Sequence, residues 1–211
     1  MNEGKLVNMV KPEKDVDGLT DQQADVNLVP CTALACLDLI KSTGISSLKG
    51  QPCTVIGRGR LAGAPIAKLL REREQAVVTV CHSQTGHLAT ETRTAKVLIS
   101  AVGKLNLIRA EHVSPDCVVI DCGITVTEKQ LADGRRVRRV QGDVDFAAVS
   151  KIASHITPVP GGVGPMTVAM LFRNTLYAAI RQLIPRLQPR QRDLLTSILT
   201  EFAHFSFRIE N

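Results

Sequence analysis

The sequence predicts an α/β fold, a Rossmann-like parallel sheet with helices on both faces. Three observations carry this. Short β-branched runs alternate with helical patterns, the mark of βαβ units. One strand, Cys53 to Ile56, runs into Gly57-Arg58-Gly59-Arg60-Leu61-Ala62-Gly63 and then a helix, the setting of a dinucleotide loop. Another, Cys117 to Cys122, reads as a continuous apolar strand, as expected when both sheet faces are covered.

The elements follow in order. Residues 1–30 read as irregular and polar, with a turn at Asp17-Gly18. Ala33 to Lys41 carries Leu34, Leu37 and Ile40 at helical spacing, and Thr43-Gly44 ends it. After the Cys53–Ile56 strand, Gly63 to Glu74 reads as a helix facing Ile66, Leu69 and Leu70 inward. Val77 to Cys81 and Val97 to Val102 are β-branched strands. Ala132-Asp133-Gly134 reads as a hairpin turn, with Val137 to Val140 in the returning strand. Ile156 to Val159 is the last strand and Met166 to Ile184 the last long helix. The tail, Pro185 to Asn211, holds a modest amphipathic stretch from Asp193 to Phe205.

Composition excludes several function classes. Hydrophobic residues make up 44% and charged residues 22% of 211, which suits a soluble domain with a real core. No apolar run approaches membrane-spanning length, and Met1 to Lys14 reads as neither a secretory signal nor a transit peptide. A cytoplasmic protein with no membrane partner is expected. Net charge is +6, but aromatics are only 3%, and the densest basic cluster, Gly134 to Arg139, reads as a solvated hairpin face. That disfavours nucleic acid and suits a polyanionic cofactor. The six cysteines show no Cys-x-x-Cys pairing, so reduced thiols are expected and a metal is not.

The glycine loop sets the cofactor. Gly57 permits the turn, Gly59 lets a pyrophosphate approach, and Gly63 lets helix and strand pack. A reader of NAD usually ends the next strand with an acid on the ribose 2′-hydroxyl. Here the strand ends Cys81-His82-Ser83-Gln84-Thr85, without one. Arg58 can instead grip a 2′-phosphate with its guanidinium fork, and Ser83 can add a hydrogen bond, so NADP is expected. His82 reads as a cofactor-contacting or capping residue rather than a general base. A second loop, Ile156-Thr157-Pro158-Val159-Pro160-Gly161-Gly162-Val163-Gly164-Pro165-Met166-Thr167, packs three glycines and three prolines before a helix. Glycine there allows close approach to a ligand, and Pro165 suits the first helical turn.

That loop, with Pro12-Glu13-Lys14-Asp15-Val16-Asp17-Gly18, Val29-Pro30-Cys31-Thr32, the glycine loop, Cys81 to Thr85, Asp121-Cys122-Gly123-Ile124 and Gly142-Asp143-Val144, resembles the methylenetetrahydrofolate dehydrogenase/cyclohydrolase family. The resemblance runs over residues 8–183. It implies three regions: 1–32, the remnant of a folate-binding lobe and linker; 33–184, an NAD(P)-binding domain; and 185–211, a divergent tail. It implies tetrahydrofolate derivatives as substrate partners, with Asp17 bonding the pterin ring and Pro160, Gly161 and Gly162 bordering folate and nicotinamide. Gly57, Arg58, Gly59, Gly63, Ser83, Gly103, Ile124 and Thr167 would bind NADP. It also implies a homodimer paired through nucleotide domains.

Two departures stand out. The family's catalytic lysine lies in a Tyr-x-x-x-Lys motif ahead of the Asp-Val-Asp-Gly segment. The one tyrosine here, Tyr177, is followed four residues on by Arg181, so no catalytic residue is assigned. Gly59 also stands where many relatives carry serine. Two readings therefore compete. The first is an NADP-dependent enzyme that oxidises 5,10-methylenetetrahydrofolate and hydrolyses the methenyl product. The second is a non-catalytic NADP-binding fragment or pseudoenzyme acting through association.

Overall fold

The structure, a computed structural model, describes residues 3–20, 28–130 and 136–203. A short helix α1 (Glu3–Val7) precedes α2 (Cys31–Ser42), β1 (Pro52–Ile56), α3 (Gly63–Glu72), β2 (Val77–Cys81), α4 (Leu88–Arg93) and β3 (Val97–Ser100). Then come β4 (Val118–Asp121), β5 (Thr125–Gln130), β6 (Arg136–Gln141), α5 (Phe146–Val149), β7 (His155–Ile156), α6 (Val163–Leu183) and α7 (Pro189–Ala203).

Five strands form one sheet in the order β2-β1-β3-β4-β7, every pair parallel. The chain enters at β1, steps outward to β2, and returns across β1 to β3. The order reverses between β1 and β3, where open α/β sheets bind ligands beyond the strand C-termini. The parallel, doubly covered sheet predicted from sequence is what forms.

Alternation explains the burial. Val97, Ile99, Val118 and Ile120 join the cluster beneath α2, α3 and α6, with Leu34, Leu37, Ile66, Leu70 and Met170. Leu98 and Val119 point the other way, into a second cluster with Ile108, Val113 and Val149. Successive strand residues face opposite sides, so a run apolar at every position needs cover on both.

Local chemistry sets the ends. The Thr43 N–H bonds the Ile40 and Lys41 carbonyls, and Gly44 takes a φ of 90° to turn the chain out of α2. Several boundaries differ from those expected. α2 starts at Cys31 and α6 at Val163, both earlier than the apolar spacing suggested. β7 stops at Ile156, because the Thr157 hydroxyl turns to accept the Asp121 N–H at 2.8 Å and Pro158 has no N–H for a ladder. β5 and β6 pair antiparallel as the expected hairpin, while its turn at Ala132-Asp133-Gly134 lies outside the described residues. The tail forms α7, and Phe205 lies outside the described residues.

Asn174, buried on α6, ties the N-terminal segment to the sheet domain. Its amide donates to the Val16 and Val29 carbonyls, both at 2.9 Å. Asn174→Ala leaves both carbonyls without that donor and is expected to cost about 2–3 kcal/mol in urea unfolding. A loss below about 0.5 kcal/mol, the range of inert surface changes, would contradict this anchoring role.

Candidate nucleotide-binding site

The strand C-termini converge on one edge. β1 runs into Gly57, whose φ of 104° favours glycine and whose N–H bonds the Cys81 carbonyl at 2.8 Å. A Cβ on Gly57 would collide with the Ala101 carbonyl, and one on Gly63 with the Gly57 carbonyl. A Cβ on Gly59 would meet nothing, so this glycine leaves open space beside the loop. The loop thus turns tightly, presses α3 against β1, and keeps one face clear. The N-cap of α3, Ala62, has no capping side chain; the Ala64 N–H donates to the Gly59 carbonyl at 3.0 Å and Pro65 has no N–H, which leaves the Gly63 N–H as the first-turn donor for an anion. Gly63→Ala should cost about 1–3 kcal/mol by overpacking and weaken dinucleotide binding. A variant that matches wild type in both thermal melting and calorimetric titration would refute this reading of the glycine.

Arg58 and Ser83 stand on adjacent strand-end loops, after β1 and β2. Among the described residues of the turn after β2, none is acidic. His82 serves this turn itself: its Nδ1 accepts the Gln84 N–H at 3.2 Å, and its N–H donates to the Thr85 hydroxyl at 3.0 Å.

On the far side of the crevice lies the loop after β3. The Ala101 N–H bonds the Ile56 carbonyl at 2.8 Å, and Gly103 has a φ of 76°. Beyond β4, Ile124 is 68% exposed at the root of the hairpin, and the Thr125 hydroxyl reaches the Gly103 carbonyl at 3.4 Å. The loop after β7 carries Pro160, Gly161 and Gly162, the last being the N-cap of α6. Gly161 has a φ of 110°, and a Cβ on Gly162 would strike Thr157 and Pro158. The Thr167 hydroxyl donates to the Val163 carbonyl at 2.9 Å, which fixes its rotamer on the helix.

Asp17 lies on the segment that Asn174 anchors, and two residues further on the Leu19 carbonyl accepts from the guanidinium of Arg60, from the glycine loop, at 2.8 Å. The Asp17 carbonyl accepts the Cys31 N–H. Burial pushes the Cys31 thiol up to about 12, and the neighbouring Asp17 carboxylate adds to that shift. Burial likewise raises Cys53 to about 11 and Cys117 to about 12, so these thiols stay protonated and unreactive.

Two buried carboxylates link the loops. Asp121 accepts N–H bonds from Gly123, Asp143 and Val144. Asp143 accepts from the Ser100 hydroxyl and the Val102 and Lys104 N–H groups. Burial pushes the Asp121 carboxyl up, and its N–H donors oppose the shift. Sequence reasoning marks both motifs but assigns these aspartates no role. The signal that could have found them is a glycine beside each, since a Cβ at Gly123 would strike the Asp143 carboxylate and one at Gly142 that of Asp121.

A groove of about 800 Å³ opens beside the crevice, between α3 and the Gly18–Thr20 and Val29–Pro30 segments. It is lined by Arg58, Arg60, Lys68 and Arg73, and shares only Arg58 with the residues expected to bind a nucleotide. The converging strand ends, with their glycine geometry, locate the site better than this basic groove does. Among the described residues, no group of three or more His, Cys, Asp or Glu side chains could hold a metal, and no helix is long and apolar enough to cross a membrane.

A parallel sheet whose order reverses at a glycine loop, with a helix start at its mouth, defines a nucleotide-binding α/β domain. Residues 30–183 match the family model "Tetrahydrofolate dehydrogenase/cyclohydrolase, NAD(P)-binding domain". The chain belongs to that family. It is 45% identical over 192 residues to a cytoplasmic C-1-tetrahydrofolate synthase of Spodoptera frugiperda, covering 87% of this chain and 20% of that protein. It is 42% identical over 191 residues to the bifunctional protein FolD of Caldicellulosiruptor saccharolyticus, covering 86% of this chain and 65% of the relative. The Trypanosoma brucei methylenetetrahydrofolate dehydrogenase-cyclohydrolase, solved with NADP and an inhibitor, superposes with a TM-score of 0.77 at 38% identity, over 87% of this chain and 64% of that one. The chain therefore spans less than two thirds of these relatives.

Proposed function

We propose that the chain binds NADP in the crevice between β1 and β3 and forms the nucleotide half of a methylenetetrahydrofolate dehydrogenase/cyclohydrolase. The observation that carries this is the family match over residues 30–183, joined to Arg58 after β1 and the absence of an acid among the described residues of the turn after β2. Gly57 and Gly63 hold the tight turn of the loop, and Gly59 leaves beside it the open space that a side chain would fill, which fits a pyrophosphate at the start of α3. Arg58 and Ser83 would hold the 2′-phosphate. Gly103, Ile124 and Thr167 would border the rest of the dinucleotide. Pro160, Gly161 and Gly162 would bring the nicotinamide edge to the folate, and Asp17 would orient the pterin ring. When bound, NADP supplies the hydride acceptor for the one-carbon bridge. The chain's residues would position both rings, and hydrolysis of the methenyl product, in which a water adds to the one-carbon bridge, would follow in the same cleft. Titration of the purified chain by calorimetry is expected to show NADP tighter than NAD by about tenfold or more, the smaller worth of a charged hydrogen bond. Equal affinities would overturn the NADP reading.

A nucleotide-binding role without catalysis is the second reading, since the family match over residues 30–183 is to the NAD(P)-binding domain. Both readings place the protein in the cytoplasm, as the names of its insect and human relatives suggest. Both also include a homodimer. β2 is an edge strand with Val77 60% and Val80 38% exposed, the kind of surface that association covers. Light scattering should give a dimer at roughly 10–50 µM, where a weak interface is occupied. A monomer throughout that range would contradict it.

A further inference from the structure

We propose that Asp143 is a positioning residue that sets the loop after β3 for the dinucleotide, without touching the cofactor itself. This rests on the reading that the crevice binds NADP. Asp143 is fully buried, and three donors converge on its carboxylate: the Ser100 hydroxyl and the Val102 N–H at 2.8 Å on one oxygen, and the Lys104 N–H at 2.7 Å on the other. Its carbonyl accepts the Ile108 N–H at 3.0 Å. One residue thus grips both ends of the segment from Ser100 to Ile108. That segment forms one wall of the crevice, because the Ala101 carbonyl is the surface against which Gly57 packs.

Asp143 is itself held. The Asp121 carboxylate accepts the Asp143 N–H at 3.0 Å and the Val144 N–H at 2.9 Å, and the Asp121 N–H donates to the Thr157 hydroxyl. A chain of hydrogen bonds therefore runs from the loop after β7, through Asp121 and Asp143, to the loop after β3. Three strand-end loops share one geometry. A carboxylate accepts at both oxygens, so this arrangement tolerates no amide: an asparagine side chain in the same place would set its NH₂ against at least one of the donors.

The side of the crevice affected can be told apart. The expected 2′-phosphate readers, Arg58 and Ser83, sit after β1 and β2, and the Asp143-held loop sits after β3. Asp143→Asn should weaken NADP binding about 10-fold or more, the loss of a charged hydrogen bond. It should change binding of 2′,5′-ADP, which carries only the adenosine and its phosphates, by less than about 3-fold, within the noise of an uncoupled site. Amide exchange at Val102 and Lys104 should quicken while Val55 and Ile99 keep their protection. Ser100→Ala, which removes one donor and leaves the carboxylate paired, should show the same pattern more weakly, and it serves if the asparagine variant does not fold. Equal binding of NADP by wild type and both variants would overturn the inference, as would equal loss of NADP and 2′,5′-ADP. A wild-type chain that binds neither nucleotide would instead overturn the NADP reading itself.

Discussion

Methylenetetrahydrofolate-dependent NADPH formation by the purified 211-residue chain is expected to fall at least about 10²–10³-fold below that of an intact relative. Loss of one preorganised electrostatic group commonly costs that much. By family resemblance the missing group is a lysine that polarises the folate, and Tyr177 with Arg181 does not supply it. Substrate positioning would suffer as well, since the chain spans only 64% of a solved relative named for both activities. Two other lysines lie on segments expected to border the pocket. Lys14 ends a 3₁₀ turn, and Lys104 is exposed in the loop after β3 with its N–H bound to Asp143. Among the described residues, neither ammonium group has a hydrogen bond or ion pair that would fix it within the fraction of an ångström that catalysis demands. Adding the separate N-terminal lobe of a relative should restore turnover. Turnover by the chain alone near that of an intact relative would sink this expectation.

Arg58→Ala is expected to cost about 1.5–3 kcal/mol of NADP affinity, roughly 10- to 150-fold, the range for a hydrogen bond to a charged group. NAD, lacking the 2′-phosphate, should lose much less. The side chain lies at the surface, so little packing is lost and the fold should be untouched. Calorimetry with both cofactors reads the difference. NADP binding as tight in the variant as in wild type would remove Arg58 from the site and leave the neighbouring basic groove, with Arg60, Lys68 and Arg73, as the place to look.

The parts of the fold that rest on apolar burial were legible in the sequence. Val97 to Ile99 and Val118 to Ile120 are apolar at every position, and their burial on both faces follows from that. The glycines were legible for the same reason: Gly57 and Gly63 sit where only a missing Cβ allows two backbones to meet. Other features depend on contacts far apart in sequence. α4 has only Leu88 and Ala89 to mark it, and no helical spacing announces it. β7 is two residues long, and its end is set by the partnership of Thr157 with Asp121, 36 residues away. The Asp121 and Asp143 carboxylates read in sequence as motif members without a job. Their role appears only once the fold gathers six donors around them.

The most direct measurement is an amide NMR titration of the chain with NADP. Binding between β1 and β3 predicts that the largest shifts fall on Gly57 to Ala64, on His82 to Thr85, and on Val102 to Lys104. Shifts confined to the α3 groove, around Gly18, Lys68 and Arg73, or no saturable shift at all, would contradict a dinucleotide site at the strand crossover.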